Sequence, residues 1–339
     1  MKKKWTMLLV VMLALTSIFL TSCKDDSDDP VTPSLTTFEI LKDYMDDNGM
    51  TFDELMNIDQ AISVPWVKTP TDVYDIQTDA DADNDYYIMD IRDLVDYDLG
   101  HIEGAVNVDW DGDGVLLTAA AIVPDGQTIA VVCYSGQNAL HAVMGLRLSG
   151  YSDAFSIKWG MSGWSPTLDK WTSHVAQLDD PNWIDGANAN IASPIVFDDP
   201  VIDLAVASTD GATILAERVD AMLIGGLNGA LVSNVLADPA SYFLNIYWDE
   251  ANVTQYGHID GSYRIKPMNL NNLDPDSPVV TYCWTSQTSS MIAAYLDVLG
   301  YDAYTLKFGA NAMIYDDLVA GGGSAWDQSE DYPLVPTAK

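Results

Sequence analysis

Two cysteines, far apart in the chain, stand where a thiol can act as a nucleophile. Cys133 closes an apolar run, Ile129-Ala130-Val131-Val132, and is followed by a polar loop, Tyr134-Ser135-Gly136-Gln137-Asn138. From Ala139 to Leu148 the residues Leu140, Val143, Met144 and Leu148 recur at helical spacing, and Gly150 supplies the stop. A thiol at the start of a helix faces unpaired backbone N–H groups and the positive end of the helix dipole, and both favour the thiolate. A thiolate attacks an electrophilic centre and carries the covalent adduct until a second nucleophile removes it. Gly136 permits the tight curl that would aim the loop amides at the sulfur. The alternative role for Cys133 is a buried, inert thiol in an apolar strand.

Cys283 repeats the setting. Val279-Val280-Thr281-Tyr282 leads into it, Trp284-Thr285-Ser286-Gln287-Thr288 follows, and helical content runs from Ser289 to Leu299 before Gly300-Tyr301. From Cys to that Gly is 17 residues in both copies, 133 to 150 and 283 to 300. Gly100-His101-Ile102 and Gly257-His258-Ile259 lie upstream, and Lys158-Trp159-Gly160 and Lys307-Phe308-Gly309 downstream. Landmarks kept in order at near-equal spacing are the mark of a repeat. Strands alternating with helices imply parallel α/β sheets, and 339 residues fit two domains. Each Cys would end the sheet of its own domain, which disfavours a disulfide between them.

Composition narrows the partners. Hydrophobic residues make up 48% of the chain, enough to bury real cores. The 50 acidic residues against 15 Lys+Arg give a formal net charge of −35, which argues against a nucleic-acid backbone and against a basic patch on anionic lipid. The N-terminus is different. Lys2, Lys3 and Lys4 precede an apolar stretch, Met7 to Leu20, that ends in Leu20-Thr21-Ser22-Cys23. This resembles a bacterial lipoprotein signal, which implies removal of residues 1–22 and acylation of Cys23 by palmitate-like chains. Residues 23–36 read as an acidic tether. The run Lys24 to Asp29 resembles the export signal of some surface lipoproteins, so we expect a lipid-anchored protein of the Gram-negative envelope, at the outer membrane, facing either its surface or the periplasm.

The body resembles the rhodanese family. Asp90-Ile91-Arg92, Tyr97 and Gly100 to Asn107 look like its opening signature, Cys133 to Gln137 like its active-site loop, and Gly160-Met161-Ser162-Gly163-Trp164 like its closing segment. The resemblance implies two tandem rhodanese-like domains, residues 37–190 and a degenerate copy at 191–339. Each would be a five-stranded parallel sheet with helices on both faces. It implies an exported sulfurtransferase or persulfide carrier that moves sulfane sulfur through Cys133. Tyr134, Ser135, Gly136, Gln137 and Asn138 would bind the substrate, and Asp90, Arg92 and His101 would form a structural frame. Cys283 is a second candidate nucleophile. The partners would be a small sulfur donor and a thiol acceptor, with no cofactor. The alternative is a non-catalytic rhodanese-fold module that binds another envelope protein.

The chain also departs from that pattern. None of the five loop residues after Cys133 is cationic, and Lys158 is the nearest cation by analogy. Phosphatases of related fold need an Arg where Ala139 and Ser289 stand, which excludes that chemistry. Aligned on Gly-His-Ile, Tyr247 and Asp249 replace Asp90 and Arg92, while Ser286 and Thr288 replace Gly136 and Asn138. We therefore expect Cys133 to be the working residue. Asp109, Asp111 and Asp113 begin like a calcium loop, but position twelve is Ala120, so an acidic turn is expected instead of a metal site. Residues 34–60 are expected to cap the first domain, and 165–200 to form an ordered connector.

Overall fold

The run Ile129–Val132 is buried along its whole length, as a strand covered by helices on both faces must be. The computed structural model describes residues 35–56, 65–110, 114–186, 191–328 and 330–337. The lipoprotein motif with Cys23, and Asp111 and Asp113 of the acidic loop, lie outside them. In chain order the first half runs α1 (Thr37–Asp47), α2 (Phe52–Leu55), β1 (Val67–Lys68), α3 (Pro70–Gln77), β2 (Tyr87–Asp90) and α4 (Leu94–Leu99). It continues with β3 (Val106–Asn107), α5 (Val115–Ala120), β4 (Ile129–Val132), α6 (Gln137–Leu148), β5 (Phe155–Ile157) and α7 (Met161–Trp164). The connector contributes β6 (Trp183–Ile184). The second half runs α8 (Gly211–Gly225), β7 (Gly229–Ala230), α9 (Val232–Ala237), β8 (Phe243–Ile246), α10 (Glu250–Tyr256) and β9 (His258–Ile259). It ends with β10 (Val279–Tyr282), α11 (Gln287–Val298), β11 (Ala303–Leu306) and α12 (Tyr315–Gly321).

The first sheet has the order β1-β5-β4-β2-β3, all parallel. The second has four parallel strands, β7-β11-β10-β8, where five were expected. Its fifth position shrinks to a single bridge between Asn245 and Tyr263. The Asn245 side-chain oxygen then takes the Ile265 amide at 2.9 Å, so a side chain replaces the next rung of the ladder. The segment just before, β9, is drawn the other way, into an antiparallel pair with β6.

Helices α6 and α11 pack on one another, and each is buried on nearly every side between its own sheet and the other half. One apolar core therefore runs through both halves, and residues from 35 onward make one compact unit. Helix α1 opens with a capping box, Thr36 with Glu39, and buries Phe38, Leu41 and Met45. It was expected to cap the first domain, yet it lies on α8 of the second half. Phe52 just beyond packs edge-on against Tyr247 and Tyr295 at 5.8 and 5.5 Å. The C-terminal segment returns the other way. Val335 bridges His101, and Tyr332 stacks on Tyr74 at 4.1 Å. The connector is ordered where described: Trp171 is fully buried, and Ala176 and Leu178 donate to Asn311 and Met313. Among the described residues no helix is long and apolar enough to cross a membrane.

Candidate active site

Strand β4 ends at Val132, and Cys133 follows at the C-terminal edge of the sheet, the edge where open α/β sheets hold ligands. The chain then turns through Gly136, at φ +83°, into α6. That turn aims the amides of Gly136 and Ala139 at Cys133 Sγ, at 3.2 and 3.3 Å. The loop is fixed from behind by Gly160. Met161 N donates to the Cys133 carbonyl at 2.8 Å, Ser162 N to the Tyr134 carbonyl at 3.0 Å, and a Cβ on Gly160 would collide with the loop backbone. Trp171, from the connector, donates its indole N–H to the Ser135 carbonyl at 3.2 Å.

The sulfur is almost wholly buried, and this changes its charge. Burial pushes the Cys133 thiol up, while the amides of Ala139, Ser135, Gly136 and Asn138 pull it down, and burial prevails. The sequence led us to expect a thiolate. Burial thus works against the thiolate, while the cradle of donors is one that an anionic sulfur would satisfy.

The frame lies beneath the loop. Asp90 and Arg92 form a fully buried pair, with Arg92 Nη2 to Asp90 Oδ2 at 2.7 Å and to the Gly100 carbonyl at 2.8 Å. The Arg92 guanidinium also lies under the Tyr134 ring, 5.7 Å from its centroid. Tyr134 donates its hydroxyl to Asp96, and burial together with that carboxylate raises its ionisation above the usual tyrosine range. His101 stacks on Tyr97 at 3.8 Å, with Nδ1 on the Tyr97 carbonyl, and contacts neither Cys133 nor the loop.

The same positions in the second half hold different groups. The sheet pairs Asp90 with Val132 and Ile246 with Tyr282, so the residues that match Asp90 and Arg92 are Ile246 and Trp248. The alignment on Gly-His-Ile, which gave Tyr247 and Asp249, is one residue out because α10 is one residue longer than α4. Trp248 stacks on Trp284 at 4.1 Å, in place of the Arg92–Tyr134 contact. Cys283 Sγ meets the Ser289 hydroxyl at 3.5 Å.

The two loops face each other across the halves. Gln137 Oε1 accepts the Phe308 amide at 3.1 Å, and the Gln287 side chain presses on the Cα face of Gly136. Between the Cys133 loop and the Lys307-Phe308 turn opens a cleft of about 500 Å³, lined by Ser135, Gln137 and Asn138 on one side and Lys307 and Phe308 on the other; neither cysteine is among its lining residues. Lys158 is not among its lining residues. Its ammonium sits over its neighbour Trp159, 4.9 Å from the ring centroid, and burial lowers its proton affinity. Sequence reasoning missed Trp171 and Lys307, whose approach to the loop depends on contacts more than 30 residues away. Among the described residues no cluster of His, Cys, Asp or Glu could hold a metal ion.

The fold and site together define an α/β protein with a cysteine cradled by amides at a sheet edge. The profile of the rhodanese-like domain matches residues 69–167. A thiosulfate sulfurtransferase, GlpE of Shewanella oneidensis, is 32% identical over 77 residues, covering 23% of this chain and 73% of that protein. A probable adenylyltransferase/sulfurtransferase, MoeZ of Mycobacterium tuberculosis, is 26% identical over 144 residues, 41% of this chain. The match spans 33% of the MoeZ sequence, so about a third of that relative is represented here. Among solved structures, a thiosulfate sulfurtransferase of Pseudomonas aeruginosa aligns over 78% of this chain and 46% of its own, at 16% identity and a TM-score of 0.27. The chain belongs to the rhodanese-like family.

Proposed function

We propose that this protein moves sulfane sulfur through a persulfide on Cys133, in a tandem arrangement whose second, altered copy does not turn over. The observation that carries the reading is the convergence of two amides on Cys133 Sγ. Such donors stabilise the negative terminal sulfur of Cys–S–S⁻ without having to reorganise. Cys133 sulfur attacks the outer sulfur of the donor, the donor's bond to that sulfur breaks, and the leaving group departs with the bonding pair and takes up the Cys133 proton. An acceptor thiol then takes the sulfur and returns Cys133 to its resting state. The donor is a sulfane-sulfur compound, consistent with the thiosulfate sulfurtransferases among the relatives.

Intact-mass spectrometry after exposure to a sulfane donor tests this. We expect a gain of about 32 Da, one sulfur, on Cys133. The deep burial of Cys133 supports a second reading, a non-catalytic binding module, and failure to load from any donor would select it. The setting we propose is the cell envelope, through a lipid on Cys23. Cys23→Ala should leave unprocessed precursor or release soluble protein, and normal membrane fractionation at unchanged mass would end that part of the reading.

A further inference from the structure

We propose that Lys307, carried by the second half, recognises the anionic group of the sulfur donor consumed at Cys133. The inference rests on the persulfide reading above and adds to it the donor's chemical class. Three observations lead to it.

The first is charge. The chain carries 50 acidic residues, and an anionic donor approaches against that field. Yet no Asp or Glu lines the cleft beside the Cys133 loop, and Lys307 does. Among the described residues no carboxylate lies within ion-pair distance of Lys307, unlike Lys42 and Lys266, which face Asp46 and Asp249.

The second is placement. The backbone of the Lys307-Phe308 turn is tied to the catalytic loop by the Phe308 amide on Gln137 Oε1, 3.1 Å. The lysine stem lies across Gly229, where a Cβ would collide with Lys307 Cε. Gly229 is thus a shelf that lets the stem lie flat. The other nearby cationic side chains are differently engaged: Arg92 is paired to Asp90, Lys158 lies over Trp159, Lys170 lies over Tyr134 at 5.8 Å from its ring centroid, and the cleft-lining His174 stacks on Phe308 at 4.0 Å.

The third is the shape of the cleft. Beside Lys307 it is walled by Leu227, Leu231 and Val232, and at about 500 Å³ it is far larger than an inorganic oxyanion needs. The lining suits a donor with an apolar body and one carboxylate: an organic persulfide, R–S–S⁻. The step balances with Cys133 as a thiol. Its sulfur bonds to the outer sulfur of R–S–S⁻, the donor S–S bond breaks, and the Cys133 proton ends on the leaving sulfur. The products are Cys133–S–S⁻ and R–SH.

The test uses two donors that differ in one charge, the persulfides of N-acetylcysteine and of its methyl ester. Rates of sulfur gain on Cys133 are read by intact mass. Lys307→Met keeps the stem and removes the ammonium. We expect it to slow loading from the carboxylate donor about tenfold, the worth of one charge-assisted hydrogen bond, and to leave the ester rate unchanged. Gly229→Ala, which keeps the lysine but displaces it, should cause a selective loss of the same kind. The unchanged ester rate shows that each variant is folded. Equal slowing of both donors, no slowing of either, or a charge-selective loss from Lys158→Met or Lys170→Met instead would overturn the assignment while leaving sulfur transfer intact. Failure of the wild-type protein to load from either donor would overturn the persulfide reading itself, and this inference with it.

Discussion

The loops around Cys133 and Cys283 share a backbone and differ in what they offer the sulfur. Both turn through a left-handed residue, Gly136 at φ +83° and Ser286 at φ +63°. Both are braced by a glycine, Gly160 or Gly309, that no larger residue could replace without striking the loop backbone. Around Cys133 the donors aimed inward are amides. Around Cys283 the inward group is the Ser289 hydroxyl, itself bound to Thr305 Oγ1 at 2.7 Å, as is Ser286 Oγ. The two loops therefore share a curl and differ in the groups that face the sulfur. A loop's shape is held by the sheet edge and the bracing glycine, while its reactivity depends on side chains that divert or free the donors.

The largest expected effect separates the two cysteines. Cys133→Ser should abolish sulfur loading, and Cys283→Ser should retain most of it. Both are read as the gain of about 32 Da per persulfide sulfur. If Cys283 alone accepts sulfur, the comparison of the loops is inverted and the amide cradle is not what matters.

A second contrast lies within the paired helices. His141 on α6 is buried against α8, with Nε2 on the Met222 carbonyl at 3.3 Å, while Met291 stands at the matching place on α11. Burial holds the His141 imidazole down at about 4, from an ordinary value of 6.5. The folded state thus favours the neutral ring. Its contribution is full above pH 6.5, declines as the pH falls, and is exhausted below about 4. The difference is worth roughly 3 to 4 kcal/mol at most. His141→Met, copying the second half, should remove that part of the slope. Urea unfolding of both proteins between pH 7 and pH 4.5 measures it, and parallel curves would show that His141 does not titrate on unfolding.

Much of the site could be read from local sequence, because a strand, a Cys, a Gly-bearing loop and a helix follow one another within twenty residues. The repeat was visible for the same reason. What the sequence concealed depends on distant contacts. The Lys307-Phe308 turn meets the Cys133 loop through the Phe308 amide on Gln137, across the two halves, and nothing in the spacing of the two copies announces that contact. The match of Trp248 to Arg92 was hidden by one extra residue in α10, which sheet register alone reveals. Helix dipole and loop amides are local and legible in the sequence, whereas the burial that pushes the Cys133 thiol up depends on the packing of the whole fold. The missing fifth strand was hidden likewise: the ladder ends where the Asn245 side chain takes the Ile265 amide, a contact between residues twenty apart.

The smallest expected effect tests whether a glycine is what separates the loops. Ser286→Gly would relieve a left-handed residue, which costs a residue with a Cβ about 1 kcal/mol. It would also remove the Ser286 Oγ to Thr305 bond at 2.7 Å, worth about 1 kcal/mol. These terms oppose one another, so the net change in stability should stay within about 1 kcal/mol, read by chemical denaturation. The variant should also fail to load sulfur at Cys283 when Cys133 is Ser. The backbone at residue 286 is already left-handed, so glycine there gives the loop no curl that it lacks. The Ser289 hydroxyl stays on the sulfur whatever residue 286 is. Should Cys283 load once Ser286 is glycine, the side chain at the turn, and not the hydroxyl facing the sulfur, would be what keeps the second copy silent.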